Sequence, residues 1–197
     1  MKPDCNILIA GVGGQGSLIC GRILSEVALK SDLRPIIGET FGASRRGGTV
    51  LTHLRLDHKD RGPLIPKGEA DIILGLEPLE TLRAAVDFSG SNTVILLSTV
   101  RVDTTESLAK KREYPAIEEI LKALSKLSGR VIPLNPSKSL KRVASMRMLN
   151  SYMLGALSVL EENPLDKESV REKIRSMLRN PEMNLAAFDA GVAEASE

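Results

Sequence analysis

The sequence contains no tryptophan, and aromatic residues make up only 3% of its 197 positions. A core must therefore be assembled mainly from Leu, Ile, Val, Ala and Met. A stacking surface for single-stranded nucleic acid is disfavoured, because such surfaces rely on aromatic side chains. Two cysteines, Cys5 and Cys20, cannot supply the four thiolates of an iron–sulfur cluster and do not resemble a disulfide framework, which fits a reducing cytoplasm. The formal charge of +2 is too small to point to nucleic acid or a membrane by electrostatics alone. No apolar run approaches the ~20 residues that span a bilayer. The start, Met1-Lys2-Pro3-Asp4, runs into an apolar stretch with no signal peptide.

Catalytic signatures are missing as well. There is no nucleophile elbow, Walker lysine loop, zinc-type His-Glu-x-x-His or Cys-x-x-Cys pair, nor the Gly-Asp-Gly stretch with paired asparagines expected of a thiamine diphosphate site. The acidic pairs Glu118-Glu119 and Glu161-Glu162 fall on helices or at helix ends, where they are solvated. No self-contained active site is visible.

What is present is a glycine loop, Gly11-Val12-Gly13-Gly14-Gln15-Gly16, between the apolar run Ile7-Leu8-Ile9-Ala10 and a helical stretch beginning near Ser17. Glycine lets the backbone turn tightly and approach a ligand, and the first N–H groups of the helix point at it, so phosphate or carboxylate is the first ligand to consider. Gly11, Gly13 and Gly16 also occupy the three glycine places of the dinucleotide fingerprint, with Glu39 ending the next apolar run. The plain alternative is that these glycines, and Gly21 one turn on, only let helix and strand pack closely.

At 197 residues, 42% of them apolar, the chain reads as one domain, 1–197, able to bury about 70% of its unfolded surface. Residues 6–10 predict a buried parallel strand, and Ile19, Ile23 and Val27 begin an apolar stripe at helical spacing. A second strand over 34–39 is expected beside the first. Residues 40–48, with three glycines and two arginines, predict an exposed loop holding an anion or partner surface, or else a turn with solvated arginines.

Further strands are predicted over 49–56, 72–76, 93–97 and 131–134. His53 reads as a hydrogen-bonded structural histidine, having no ligand-spaced Cys, Asp or His. Glu77-Pro78 starts a helix, and Ile117, Ile120, Leu121, Leu124 and Leu127 form another. The last third predicts helices over 146–160 and 166–178, punctuated by Asn135-Pro136, Asn163-Pro164 and Asn180-Pro181 as capping pairs, with 193–197 frayed. The basic clusters Lys110-Lys111-Arg112 and Lys138 to Arg147 read as solvated helix faces.

Together these predict an α/β fold: a three-layer α/β/α arrangement with a largely parallel sheet and a helical C-terminal third. Strand 49–56 follows its predecessor with no helix between, which leaves it free to run antiparallel and make the sheet mixed.

Several motifs in order carry a resemblance beyond spacing. These are the Gly11 to Gly16 loop, Ser44-Arg45-Arg46-Gly47-Gly48-Thr49-Val50, Pro63-Leu64-Ile65-Pro66, and Ala70-Asp71-Ile72-Ile73-Leu74-Gly75-Leu76-Glu77-Pro78-Leu79-Glu80. Tyr114-Pro115, Asn150 with Leu154-Gly155, and Asn184 with Phe188 and Gly191 follow. Over nearly its whole length the sequence resembles the gamma domain of the 2-oxoacid:ferredoxin oxidoreductases, most closely the beta subunit of the indolepyruvate enzymes. One departure is Ala43-Ser44-Arg45, where the family pattern has Met-Ser-Gln.

The resemblance implies an accessory subunit, inactive alone. A large partner would carry thiamine diphosphate and iron–sulfur clusters, decarboxylate an aryl 2-oxoacid, pass electrons to ferredoxin and the acyl group to coenzyme A. Gly11, Gly13, Gly14, Gln15 and Gly16 with Ser44, Arg45, Arg46 and Gly47 would then form one surface for coenzyme A, another anion or the partner. The competing reading, a dinucleotide-binding dehydrogenase or nucleotide sensor, uses Glu39 but leaves the arginine loop, Asn150 and Asn184 without a role.

Overall fold

The structure, a computed structural model, describes residues 4–31, 33–42, 48–102 and 114–196. Strand β1 (Cys5–Val12) shows why the apolar runs do not alternate with polar residues. Its Ile7 and Ile9 enter one hydrophobic cluster while Leu8 and Ala10 enter another on the opposite face. A strand covered on both faces has no polar side to show. Strands β4 (Ala70–Gly75) and β5 (Ser89–Ser98) repeat the division, Ile72, Leu74, Val94 and Leu96 facing one cluster and Ile73, Ile95 and Leu97 the other.

With β2 (Arg34–Phe41), β3 (Thr49–Asp57) and β6 (Arg130–Leu134) these form one six-stranded sheet in the order β2-β3-β1-β4-β5-β6. One face is covered by α2 (Pro78–Phe88) and α3 (Ile117–Leu127). The other is covered by α1 (Ser17–Ala28) and by the C-terminal helices α4 (Pro136–Val143), α5 (Leu149–Leu157), α6 (Lys167–Met177) and α7 (Pro181–Ala195). The three-layer expectation holds, and the sheet is mixed: β1, β4, β5 and β6 are parallel, while β3 runs antiparallel to both β1 and β2. Among the described residues no helix is long and apolar enough to cross a membrane.

One placement differs from expectation. Strand β2 does not lie beside β1, because β2 and β3 form an antiparallel pair and it is β3 that takes the edge of β1. A short connection favours an antiparallel neighbour over a crossover.

The C-terminal third is helical, with corrections of detail. The apolar stretch expected over 146–160 is a 3-10 turn, Met146–Met148, followed by α5, and the last helix holds through Ala195 rather than fraying from 193. The asparagines of the Asn-Pro pairs do not cap with their side chains: neither Asn135 nor Asn180 makes such a bond. Asn163 closes a local turn through Leu165 N–H, and it is Asp166 that caps α6 through Ser169 N–H.

Helices α5 and α7 cross at two glycines. A Cβ on Gly155 would strike the Phe188 carbonyl, and one on Gly191 would strike the Tyr152 carbonyl. Ser151 donates to Asn184 at 2.6 Å, and Asn184 in turn donates to the carbonyls of Arg179 and Asn180. The Asn184, Phe188 and Gly191 motif is thus a helix-packing device.

His53 is buried on β3, its Nδ1 accepting from Ile65 N–H at 3.3 Å and its ring set edge-on to Phe88. Among the described residues its buried Nε2 has no partner, and burial lowers its pKa below the usual imidazole value.

Two outcomes follow from these contacts. Gly191→Ala should lower unfolding free energy by on the order of 3 kcal/mol, since the obstacle is backbone and cannot swing aside. Gly62→Ala, where a Cβ meets nothing within 4 Å, should change it by less than about 0.5 kcal/mol, both read by urea titration. For His53 the unfolded chain takes up a proton near pH 6.5 while the folded chain resists it, so stability is full above about 6.5 and declines as pH falls below it. Urea midpoints between pH 7.5 and 5.5 should show that decline in the wild type and a flatter profile in His53→Gln.

Candidate functional site

The glycine loop leaves β1 at the carboxyl edge of the parallel strands. Val12 N–H donates to Gln15 Oε1 at 2.7 Å, and Gln15 Nε2 donates to the Leu76 carbonyl just past β4 at 3.0 Å. Gln15 therefore braces the loop against the neighbouring strand. Gly11 leaves room for that brace, since a Cβ there would lie 2.8 Å from Gln15 Oε1. Gly16 turns into α1 in the left-handed region, φ +83°, and among the described residues no side chain caps the helix. Asn150, the second residue of α5, packs where a Cβ of Gly16 would be and donates to the Gly16 carbonyl at 3.4 Å. Gly14 is exposed with open space around it. The α1 N-terminus thus ends in a glycine turn without a side-chain cap, a setting suited to an anion.

Beside it, Gly13 N–H donates to the Gly48 carbonyl at 2.9 Å, and Gly42 N–H to the Thr49 carbonyl at 2.9 Å. Ser44, Arg45, Arg46 and Gly47 lie outside the described residues, but Gly48, which follows them, is bonded to the glycine loop. Gly48 reaches the glycine loop at the start of antiparallel β3 rather than from an adjacent parallel strand.

A cleft of about 340 Å³ opens next to the loop, lined by Gly14, Gln15, Val100, Val102, Met146, Arg147 and Leu149. Arg147 is exposed, so one member of the basic run 138–147 faces this cleft, while Lys138 and Lys141 are solvated as expected.

Behind the cleft wall sits a group that sequence reading passed over. Glu77 is wholly buried, and its carboxylate accepts from Glu80 N–H at 2.9 Å, from Tyr114 Oη at 2.5 Å and from Val102 N–H. Burial pushes the Glu77 carboxyl above its usual range, the three donors opposing but not reversing the shift. Burial, then the neighbouring carboxylate, pushes the Tyr114 phenol up. Glu80, also buried, accepts from Thr49 Oγ1 at 2.6 Å and from Arg83 at 2.7 Å. Arg101 stacks 4.3 Å over the Tyr114 ring. In the sequence Glu77-Pro78 signals only a helix start, which it is. Its burial depends on Tyr114, 37 positions away.

The dinucleotide arrangement is not reproduced. Glu39 lies on β2, two strands from β1, which at the usual strand spacing is roughly 9.5 Å across the sheet. The fingerprint needs the acidic residue on the strand beside the loop. Both cysteines are buried thiols: burial pushes Cys20 up to about 12 and raises Cys5 further. Among the described residues no group of three His, Cys, Asp or Glu could hold a metal ion.

Comparison with known proteins agrees with this architecture. Indolepyruvate oxidoreductase subunit IorB of Archaeoglobus fulgidus is 36% identical over 192 residues, covering 96% of this chain and 94% of the relative. The keto/oxoacid ferredoxin oxidoreductase gamma subunit from Geobacter sulfurreducens superposes with a TM-score of 0.69 at 20% identity, over 98% of each chain, and shares the fold. The 2-oxoglutarate:ferredoxin oxidoreductase from Magnetococcus marinus, solved with 2-oxoglutarate, coenzyme A and succinyl-CoA bound, matches with a TM-score of 0.70 at 23% identity over all of this chain and 32% of that longer one. Residues 6–194 match the pyruvate ferredoxin/flavodoxin oxidoreductase family, and with that near-complete span the chain belongs to it.

Proposed function

We propose that this chain is the accessory subunit of a 2-oxoacid:ferredoxin oxidoreductase acting on indolepyruvate or a related aryl pyruvate. The observation that carries the reading is the end-to-end relation to an indolepyruvate oxidoreductase subunit. The large partner subunit carries thiamine diphosphate and the iron–sulfur clusters, which supply decarboxylation and electron transfer to ferredoxin. The whole assembly works in the cytoplasm.

This chain's part lies at the carboxyl rim. Gly14 and Gln15 of the glycine loop and Arg147 border a cleft with apolar walls at Val100, Val102, Met146 and Leu149, and Gly48, at the end of the arginine loop, is bonded to Gly13 of the same glycine loop. That donor set suits a ligand with both an anionic and an apolar portion. Coenzyme A is such a molecule, and it is bound in the Magnetococcus marinus enzyme of the same fold. Gly14 and Gly16 would offer backbone, Arg147 and Arg46 charge, and the valines a surface for the uncharged chain. A carboxylate of the partner subunit would meet the same groups.

The isolated chain should show no aryl pyruvate oxidation with coenzyme A and a viologen acceptor, and no visible iron–sulfur absorbance; turnover should appear when the large subunit is added. Activity of the chain alone would refute the subunit reading. Arg46→Ala should weaken partner affinity or raise the apparent coenzyme A KM, with stability changed by less than about 0.5 kcal/mol. Arg46→Lys should recover only part of the loss, since an ammonium lacks the planar two-pronged contact. Wild-type binding and turnover in both variants would reduce Arg46 to a solvated loop residue.

A further inference from the structure

Two buried carboxylates at one helix start exceed what capping requires. A helix N-terminus is served by one side-chain acceptor, commonly a small Ser, Thr, Asp or Asn. Here Glu77 caps α2 through Glu80 N–H, yet its remaining capacity goes to Val102 N–H and Tyr114 Oη. Glu80 uses one oxygen for Arg83 and the other for Thr49 Oγ1. The three rim donors belong to separate parts of the chain: Thr49 opens β3 directly after Gly48, Val102 lies in the connection after β5, and Tyr114 precedes α3. Burying two carboxylates is costly unless their lone pairs are satisfied. Three of the hydrogen bonds that fill these lone pairs come from the rim.

We propose that Glu77 and Glu80 are positioning residues that hold the three rim segments at one fixed separation and so set the shape of the cleft. Two of the segments border the candidate site directly. Val102 is part of the cleft wall, and Thr49 is next to Gly48, whose carbonyl holds the glycine loop. Tyr114 fixes the third segment and supports Arg101 on its ring face. Glu77 and Glu80 act through these neighbours and do not themselves face the cleft. The inference rests on the reading that the rim binds coenzyme A or the partner subunit.

The test uses the complex assembled with the large subunit and isosteric changes that spare packing. Tyr114→Phe removes one hydroxyl from Glu77, and Thr49→Val removes one from Glu80. Each should raise the apparent coenzyme A KM or the partner Kd about tenfold, about 1.4 kcal/mol, while kcat at saturation stays near wild type and the thermal midpoint falls only modestly, as expected of a buried carboxylate that loses one donor. Thr49→Ser, which keeps the hydroxyl, should behave as wild type. KM and Kd within about twofold of wild type in both variants would overturn the inference and leave the subunit reading intact. A fall in thermal midpoint parallel to the loss of binding, unrelieved in Thr49→Ser, would mark a purely structural role and also overturn it. If the unmutated chain neither associates with the large subunit nor alters coenzyme A use, the subunit reading and this inference fail together.

Discussion

The structure depends on β1 having no free side. Antiparallel β3 takes one edge, parallel β4 takes the other, and separate hydrophobic clusters close both faces. Each fully buried Leu or Ile of this kind contributes about 1.5–3 kcal/mol, and β1 carries Ile7, Leu8 and Ile9 at zero exposure. A strand held on four sides cannot shift its register without displacing all of them. The glycine loop at its end is therefore fixed in position by the core. Gln15 transmits that fixation to β4, Gly48 to β3, and Asn150 to α5.

Insertion of β3 also decides which residues stand beside the glycine loop. In a dinucleotide site an acidic residue stands on the adjacent parallel strand. Here the adjacent strand is antiparallel and presents its beginning, so the loop meets Gly48 instead of Glu39. A nearly identical fingerprint thus has different neighbours because one adjoining strand has the opposite direction.

Much of this was legible in the sequence where one residue's environment is set by its near neighbours. The unbroken apolar runs told that both faces of the sheet are covered, and Ser17 and Pro78 marked the starts of α1 and α2. Strand direction for 49–56 was open on the page, because a short connection without a helix permits an antiparallel neighbour. What stayed hidden depends on long-range partners. Pro at a first helical turn says nothing about the burial of Glu77, which needs Tyr114 and Val102 to satisfy it. The Asn-Pro pairs suggested side-chain caps, but Asn180 takes a left-handed backbone, φ 57°, and no side-chain cap forms. Asn184 and Gly191 stood out only by resemblance. Their purpose is visible once α5 and α7 are crossed.

That crossing has a bearing on how the protein is made. The face of β1 bearing Ile7 and Ile9 belongs to a cluster completed by Leu149, Tyr152 and Leu154 of α5 and by Leu185 and Phe188 of α7, close to the other end of the chain. During synthesis the first strand emerges from the ribosome long before those residues exist, and at ordinary translation rates of roughly 5–20 residues per second the interval is on the order of ten seconds or more. For that time the sheet's apolar face lacks its final cover, and contacts of such sequence separation are slow to close. The nascent chain thus carries uncovered apolar surface until α7 has been released.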